Sequence, residues 1–385
     1  MTGKGTSQIF TRDFLVAALA NFLFFTNLNA YNLLPLYIKE LGGGEAQIGL
    51  IMGTYSATAI FLQPLAGSYL DRLGRRRFMH LGAGAIFLAS MAFAFLPTIG
   101  PFVFLRFLQG LGYSAFFVAN FTVVADMVPF HRRAEAVGIF GISGLVTIAA
   151  SPALGELVIE AFGYKPFFLG LAGVALICLG VTRRVSEPHF ASLPSSGPSL
   201  SWLLGHREFA VPLSAGFIFG LAMGTVFAFL PTYAREVGIG RIGPFYIAYT
   251  LAAIGVRVLL GRLSDVFGRR QVIQPSLVAL ALGTLLLAGL RSFKGLWFIG
   301  VLNGGAHGFL YPTLSALLID RSEGSSRGKV LGAFSAAVLM GSASGAMAFG
   351  LVAEILGYPV AYAISAGMIF LGFMIFSLLD QELGP

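Results

Sequence analysis

The stretch "GSYLDRLGRRRFM", residues 67–79, decides the fold, because it sets one aspartate and four arginines between long uncharged runs. Nearly the same string, "GRLSDVFGRR", returns at residues 261–270. Two such charged turns at equivalent places indicate that the chain contains two copies of one unit. The runs that flank them show what kind of unit it is.

The composition indicates an integral membrane protein. The 385 residues are 56% hydrophobic and only 11% charged, whereas soluble domains have about 25% charged residues. The mean hydropathy is +0.83. About 20 apolar residues span a bilayer as a helix. The uncharged runs between residues 14 and 379, with the stretch 242–264 that holds Arg257, predict twelve transmembrane helices in an all-α fold.

Sliding the sequence against itself by 194 residues aligns the two copies. Gly67, Asp71, Gly74, Arg75 and Arg76 fall on Gly261, Asp265, Gly268, Arg269 and Arg270, while Asp126 and Arg133 fall on Asp320 and Arg327. We expect an N-terminal six-helix bundle at 1–182, a cytoplasmic linker at 183–205 and a C-terminal six-helix bundle at 206–385. Parallel repeats of this kind are related by an axis along the membrane normal.

The distribution of basic residues predicts the orientation. Of the 25 Lys and Arg residues, 17 fall in the segments on the side of the N-terminus and six in the opposite loops. The positive-inside rule then places both termini in the cytoplasm. We expect the protein to lie in the inner membrane. The net charge of +8 is explained by these loops, so we expect no nucleic-acid partner. The polar N-terminus is expected to be a cytoplasmic tail rather than a signal peptide, and Cys178 alone excludes an internal disulfide.

Three motifs resemble the major facilitator superfamily. "GSYLDRLGRRR" looks like its loop 2–3 signature, and "RFLQGLGYSA" (106–115) is similar to its fourth-helix pattern. "SPALGE" (151–156) matches the fifth-helix pattern of proton-driven exporters only in part, because Ser151 and Glu156 replace glycines. The stretch 303–320 resembles the bacterial sugar-efflux-like branch. The resemblance implies a secondary transporter that works by alternating access, similar to drug–proton antiporters.

The charged turns are predicted to form a cytoplasmic gate. The resemblance implies a latch between the halves, and an aspartate there can accept bonds from arginines and helix amides. The alternative is that the arginines only fix the topology. The predicted gate residues are Gly67, Asp71, Gly74, Arg75, Arg76, Asp126, Arg133, Gly261, Asp265, Gly268, Arg269, Asp320 and Arg327.

Polar side chains inside membrane helices are expensive and are therefore default functional candidates. Arg106, Gln109, Tyr113 and Asn120 share one face of the fourth helix, and the tenth helix repeats the stripe. The predicted substrate-binding residues are Asn27, Tyr31, Gln63, Arg106, Gln109, Tyr113, Asn120, Arg257, Asn303, His307 and Tyr311.

Two deep arginines without a central carboxylate favour an anionic or carboxylate-bearing substrate. The placement of Arg257 before Asp265 is similar to that of the substrate arginine of some carboxylate transporters. A structural role, in which Arg257 bonds backbone carbonyls or snorkels, is the alternative.

The candidates for proton coupling are His307, Arg106 and Glu156. His307 has a side chain whose ordinary pKa is about 6.5, although a static hydrogen-bonding role is the alternative. Arg106 matches a family arginine often linked to proton coupling, and Glu156 is expected near the outer end of the fifth helix.

The sequence carries no catalytic set, no nucleotide-binding loop and no metal-ligand spacing, so we expect neither an enzyme nor a cofactor. We predict a secondary active transporter for a small organic solute, monomeric in the lipid bilayer, most simply a proton-coupled exporter. One alternative is uptake or exchange of an organic anion, with a counter-substrate in place of protons. An alternative of another class is a non-transporting receptor or scaffold.

Overall fold

The computed structural model describes residues 10–128, 133–185, 200–323 and 326–381. Within these ranges, the side chains of residues 64–73, 125, 133–135, 137 and 381 fall outside the description. The predicted gate residues Gly67, Asp71 and Arg133 are therefore placed only by their backbones, in the second and fifth long helices. Most of the predicted linker, residues 186–199, lies outside the described residues.

Twelve long helices make up the described fold, which confirms the predicted all-α architecture. We number them α1 to α12 in chain order: Arg12–Glu40, Glu45–Leu73, Arg75–Phe95, Phe102–Asp126, Arg133–Phe162, Tyr164–Thr182, Arg207–Glu236, Gly243–Leu259, Arg269–Ala288, Phe293–Asp320, Arg327–Leu356 and Tyr358–Gln381. A 3-10 turn, Tyr31–Leu33, interrupts α1, and two short helices, Leu200–Gly205 and Leu263–Val266, flank α7 and α8.

The length and composition of these helices suit a membrane. Nine helices in the described ranges are long and apolar enough to cross one. α2 and α10 have 29 and 28 residues, more than the about 20 that a bilayer requires. α8, with 17 residues, is shorter than the predicted stretch 242–264 because Leu260 leaves the helical conformation, with φ −119° and ψ 4°.

Glycines with positive φ mark the repeat in the backbone. Six glycines in the described chain adopt this conformation, and they fall into three pairs: Gly42 with Gly238, Gly74 with Gly268, and Gly163 with Gly357. Each pair sits at the same turn of the two halves, 196, 194 and 194 residues apart. A positive φ costs glycine little and other residues more, so both copies make the same turns for the same reason.

The halves, α1–α6 and α7–α12, meet through α2 against α11 and α5 against α8. A Cβ atom at Gly49 of α2 would lie 2.3 Å from the carbonyl oxygen of Ala346 of α11. Small residues permit this approach of two backbones, which is typical of helix contacts in membranes. This contact lies near the turns at 41–44 and 357. We call the membrane face on which these turns lie the predicted outer face. The face with the charged turns is the predicted inner face.

We expect the substitution Gly220→Ala to lower the thermal stability of the purified protein. Its new Cβ atom would lie 2.0 Å from the carbonyl oxygen of Val338 on α11, and such overpacking costs about 1–3 kcal/mol. The matched control is Gly170→Ala on α6, where a Cβ atom would meet no atom within 4 Å. Thermal unfolding in detergent measures both variants, and equal Tm values for them would contradict the close packing of α7 against α11.

Candidate functional site

A cavity lies between the two halves, near the contact of α2 with α11. Its volume is about 140 Å³, and its walls combine aromatic rings, amides, hydroxyls and one cation. The residues that line it are Leu28, Asn29, Asn32, Met52, Tyr55, Ser56, Arg106, Met223, Gly224, Phe227, Ala228, Ser342 and Ala346. About 150 Å³ is enough to hold benzene in another protein. The cavity therefore suits a ring-sized part of a small organic molecule.

Arg106 is the cation of the N-terminal half. It is only 4% exposed, and its Nη1 donates a hydrogen bond of 2.9 Å to Oε1 of Gln109. Its guanidinium carbon lies 4.8 Å from the ring centre of Tyr55 and 5.9 Å from that of Tyr31. Aromatic faces attract a cation electrostatically, so the rings offset part of the cost of burying this charge.

Unpartnered donors make this side of the site receptive to an acceptor group. The buried Nε of Arg106 and Nδ2 of Asn32 have no hydrogen-bond partner within the described structure. A buried donor left unpaired costs about 1–3 kcal/mol, and a carboxylate or carbonyl oxygen would relieve that cost. No Asp or Glu is among the residues that line the cavity.

A chain of polar groups in the C-terminal half leads to the same cavity. Arg257 on α8 contacts His307 on α10, with 3.5 Å between Nη2 and Nε2. Nδ1 of His307 makes a short hydrogen bond with the hydroxyl of Tyr249. That hydroxyl lies 3.0 Å from Sδ of Met223, which lines the cavity.

The direction of these bonds follows from the donors available. Arginine has only donors, so Nε2 of His307 must accept, which assigns the histidine proton to Nδ1. Nδ1 then donates to Tyr249, and the Tyr249 hydroxyl donates to Met223. A proton added at Nε2 would face the guanidinium of Arg257, and repulsion between two cations would move Arg257 away from His307.

Three amide side chains predicted to bind substrate lie between helices of their own half. Nδ2 of Asn27 donates to Ser90 of α3 and to the Leu171 carbonyl of α6, at 2.9 and 2.8 Å. Asn120 donates to Asn21 of α1 at 3.2 Å. Asn303 donates to the Ile299 carbonyl on its own helix at 3.0 Å, next to Gly283 of α9. In this conformation Asn27 and Asn120 join helices and Asn303 bonds its own helix, and the role of all three in substrate binding stays a prediction.

The remaining aromatic candidates surround the two arginines. The hydroxyl of Tyr31 donates to Ser90 at 3.0 Å. The ring of Tyr113 lies 5.3 Å from that of Tyr55, and the ring of Tyr311 lies 6.4 Å from that of His307. Gln63 is half-buried on α2.

Carboxylates join the halves at the predicted outer face. Glu156 of α5 accepts hydrogen bonds from the amides of Ile242 and Gly243, both 2.8 Å long, at the start of α8. Glu354 of α11 accepts one of 2.7 Å from the amide of Ala46 at the start of α2. A carboxylate at a helix N-terminus is stabilised by the helix dipole. Each half therefore caps a helix of the other half.

The two caps are similar contacts at different positions of the repeat. The offset of 194 residues that relates α5 to α11 takes Glu156 to Gly350 and Glu160 to Glu354. Deeper in the same interface, the hydroxyls of Ser56 and Ser342 lie 3.3 Å apart. The outer ends of the two halves are thus held together by two carboxylate caps that are not symmetry-related.

Among the described residues, the hydrogen bonds between the halves lie between the predicted outer face and the level of Ser56 and Ser342. Toward the predicted inner face, a Cβ atom at Gly138 or Gly141 of α5, or at Gly332 of α11, would meet no atom within 4 Å. The conformation is therefore closed at the predicted outer face.

The charged turns form ion pairs within each half. Arg75 at the start of α3 pairs with Asp126 at the end of α4. Arg269 at the start of α9 pairs with Asp265 and, at 3.1 Å, with Asp320 at the end of α10. The repeat thus reproduces the pairing of two helix ends in both halves.

The other predicted gate residues lie around these pairs. Gly74 and Gly268 precede α3 and α9 with positive φ, and Gly261 approaches the Arg257 carbonyl. Arg76 and Arg327 are exposed. The gating role of this set stays a prediction.

The sequence patterns did not single out several residues of the site, among them the cavity residues Tyr55, Ser56 and Met223 and Tyr249, which contacts Met223. The repeat carried a signal for two of them, because Tyr55 and Tyr249 are 194 residues apart and stand eight residues before Gln63 and Arg257. Met223 and Phe227 gave no signal, since apolar residues on a membrane helix are the rule. Among the described residues, no group of three or more His, Cys, Asp or Glu could hold a metal ion.

Two six-helix repeats around a polar cavity that is closed at one face define a membrane transport protein. The chain belongs to the Major Facilitator Superfamily, whose family model matches residues 14–265 and 213–383. It is therefore a multi-pass secondary transporter and not an enzyme, which confirms those predictions.

Known proteins agree with this family. The multidrug resistance protein MdtG of Salmonella choleraesuis is 26% identical over 360 residues, which cover 87% of each chain. A mutant of the nucleoside transporter NupG has a similar fold, with a TM-score of 0.79 at 16% identity over 96% of this chain and 100% of that one. The human organic anion transporter MFSD10 has a TM-score of 0.71 at 18% identity, over 95% and 99% of the two chains.

We expect a disulfide between cysteines at positions 56 and 342 to arrest transport. The double variant Ser56→Cys/Ser342→Cys, made with Cys178→Ser, places two thiols where the hydroxyls lie 3.3 Å apart. A small movement of the two side chains would bring the sulfur atoms to the about 2.0 Å of a disulfide. Oxidation should lock the outer ends together, and reduction should restore flux in proteoliposomes. Each single variant is the control. Full flux in a fully cross-linked sample would contradict alternating access through this interface.

We expect Glu354→Ala to open the outer ends more often. Loss of a helix cap costs about 1 kcal/mol, so a cysteine at position 56 should react about fivefold faster with a membrane-impermeant thiol reagent. The control is Glu40→Ala, which removes an exposed carboxylate from α1 on the same face. An unchanged labelling rate in Glu354→Ala, with the protein still folded, would show that this cap does not hold the helices closed.

Proposed function

We propose that this protein exports a small, partly aromatic organic solute in exchange for protons. The observation that carries the proposal is the cavity between the halves, with Arg106 over aromatic rings and unpartnered donors beside it. Such a site takes an apolar ring by its walls and an acceptor group by its donors. The name of the relative MdtG, a multidrug resistance protein, supports export of organic compounds.

Proton coupling is supported by the contact of Arg257 with His307. Because the added proton would displace Arg257, uptake of a proton at His307 changes the charge and shape of the C-terminal wall. Met223 links this wall to the cavity through Tyr249. The coupling we propose is therefore electrostatic, and it needs no carboxylate in the centre of the site.

The transport cycle follows from the repeat. We propose that the halves 1–182 and 206–385 move as bodies about the cavity, joined by the linker 183–205. We place both termini in the cytoplasm of a cell whose inner membrane holds the protein as a monomer. In the conformation described here, the site would then face the cytoplasm and be ready to receive solute for export.

A second candidate function is exchange of organic anions. Arg106 lines the cavity, and Arg257 lies behind its C-terminal wall. With no carboxylate among the described residues that line the cavity, this arrangement would complement a carboxylate without any proton. Exchange and proton-coupled export differ in their response to pH, which makes them separable in one experiment.

The test uses proteoliposomes and three probes with one ring and different charges: benzoate, benzamide and benzylamine. We expect the transport rate of benzoate or benzamide to be several-fold higher under an imposed pH gradient than when the internal and external pH are equal. Benzylamine should be the poorest substrate, because Arg106 repels it. Benzoate exchange that ignores the pH gradient would contradict proton coupling and favour the second candidate.

Substitution of Arg106 tests the recognition of the charged group separately from the binding of the ring. Arg106→Gln should weaken benzoate binding at least about tenfold, since charge-assisted hydrogen bonds are roughly twice as strong as neutral ones. Benzamide should lose much less. Arg106→Lys is the matched control, because it keeps the charge and loses the planar fork. An equal loss for benzoate and benzamide in Arg106→Gln would indicate a structural role instead.

A further inference from the structure

A groove on the surface of the described chain lies outside the transport site, between α3 and α4. Its volume is about 750 Å³. Arg76, Arg77 and His80 line its end at the predicted inner face, and Leu81, Gly84 and Leu88 line the part that runs into the membrane. One end of the groove is basic and the rest is apolar.

The basic end has free donor capacity. Arg76 and Arg77 are both exposed. Nδ1 of His80 lies 2.8 Å from the carbonyl oxygen of Arg76, so this nitrogen donates to the backbone and Nε2 of the neutral ring is an acceptor. Among the described residues that line the groove there is no Asp or Glu. Two exposed guanidinium groups in one place attract a phosphate group.

The apolar part has the length of one bilayer leaflet. From Arg76 to Leu88 the helix advances 12 residues, about 18 Å at 1.5 Å per residue. Half of the hydrocarbon core measures about 15 Å. Leu81 and Leu88 are 61% and 58% exposed, and a Cβ atom at Gly84 would meet no atom within 4 Å. The groove is therefore open to lipid, and it is deeper at Gly84, which has no side chain.

We propose that this groove binds a phospholipid with a negatively charged headgroup in the inner leaflet. The phosphate lies against Arg76 and Arg77, and one acyl chain fills the groove past Gly84. Basic sites at the cytoplasmic ends of transmembrane helices bind anionic lipid headgroups. The adjacent Arg75 pairs with Asp126 of α4, so the bound lipid braces the junction of α3 with α4. The site depends on neither the cargo nor the coupling proposed above.

Native mass spectrometry of the detergent-solubilised protein tests this site, with phosphatidylglycerol and phosphatidylcholine as probes. We expect phosphatidylglycerol to bind tightly and phosphatidylcholine at least about tenfold more weakly. Arg76→Gln/Arg77→Gln should lower phosphatidylglycerol affinity about thirtyfold, because each basic residue near the membrane surface contributes roughly a fivefold attraction. Equal binding of the two lipids, or unchanged affinity in the double variant, would overturn the proposal.

A second variant tests the chain-binding part without touching the charges. Gly84→Leu fills the groove, and the open space at that position lets the protein fold. It should lower phosphatidylglycerol affinity, whereas the control Gly170→Leu on the exposed face of α6 should not. Unchanged affinity in Gly84→Leu, or inorganic phosphate that competes fully with the lipid, would show a simple anion site and overturn the lipid assignment.

Discussion

The contact of α2 with α11 is the constraint on which the rest of the structure depends. Gly49 and Gly350 face each other there, and a Cβ atom on either would lie 3.0 Å from the Cα atom of the other. Two backbones this close leave no room for side chains between them. The helices are therefore either in direct contact at this level or fully separated, with no intermediate packing. Since dispersion and backbone contacts replace the hydrophobic effect inside a membrane, this packing suits an interface that must form and separate repeatedly.

The two carboxylate caps add direction to this interface. Glu156 and Glu354 satisfy amides that helices α8 and α2 leave unpaired at their starts, and each does so across the boundary between the halves. If the outer ends separate, the carboxylates and the amides both gain water. Water therefore offsets part of the loss when a cap breaks, and the intact caps favour one closed geometry. The glycines allow the helices to pack closely, and the caps fix the position of one half relative to the other.

Much of this fold could be predicted from the sequence. The uncharged runs gave twelve helices, and the offset of 194 residues related Gly74 to Gly268 and Asp126 to Asp320, which the structure shows in equivalent turns and ion pairs. The substrate-binding site was harder to predict. Asn27 and Asn303 share helix faces with other polar residues, yet both bond within their own half. Periodicity assigns a face of a helix, but it does not say whether that face meets a neighbouring helix or a cavity.

The two arginines illustrate what periodicity leaves open. Arg106 and Arg257 are similar in the sequence, as single charges in apolar runs, but their surroundings differ in kind. Arg106 is held by aromatic faces and by a glutamine that carries no charge. Because neither contact gains a positive charge by taking up a proton, protonation would not repel Arg106. Arg257 rests against a histidine, whose protonation reverses the sign of their interaction. In the proton coupling proposed above, Arg106 would therefore stay in place, whereas Arg257 would move when His307 takes up a proton. A proton would then change the affinity of the cavity for a solute without touching the solute.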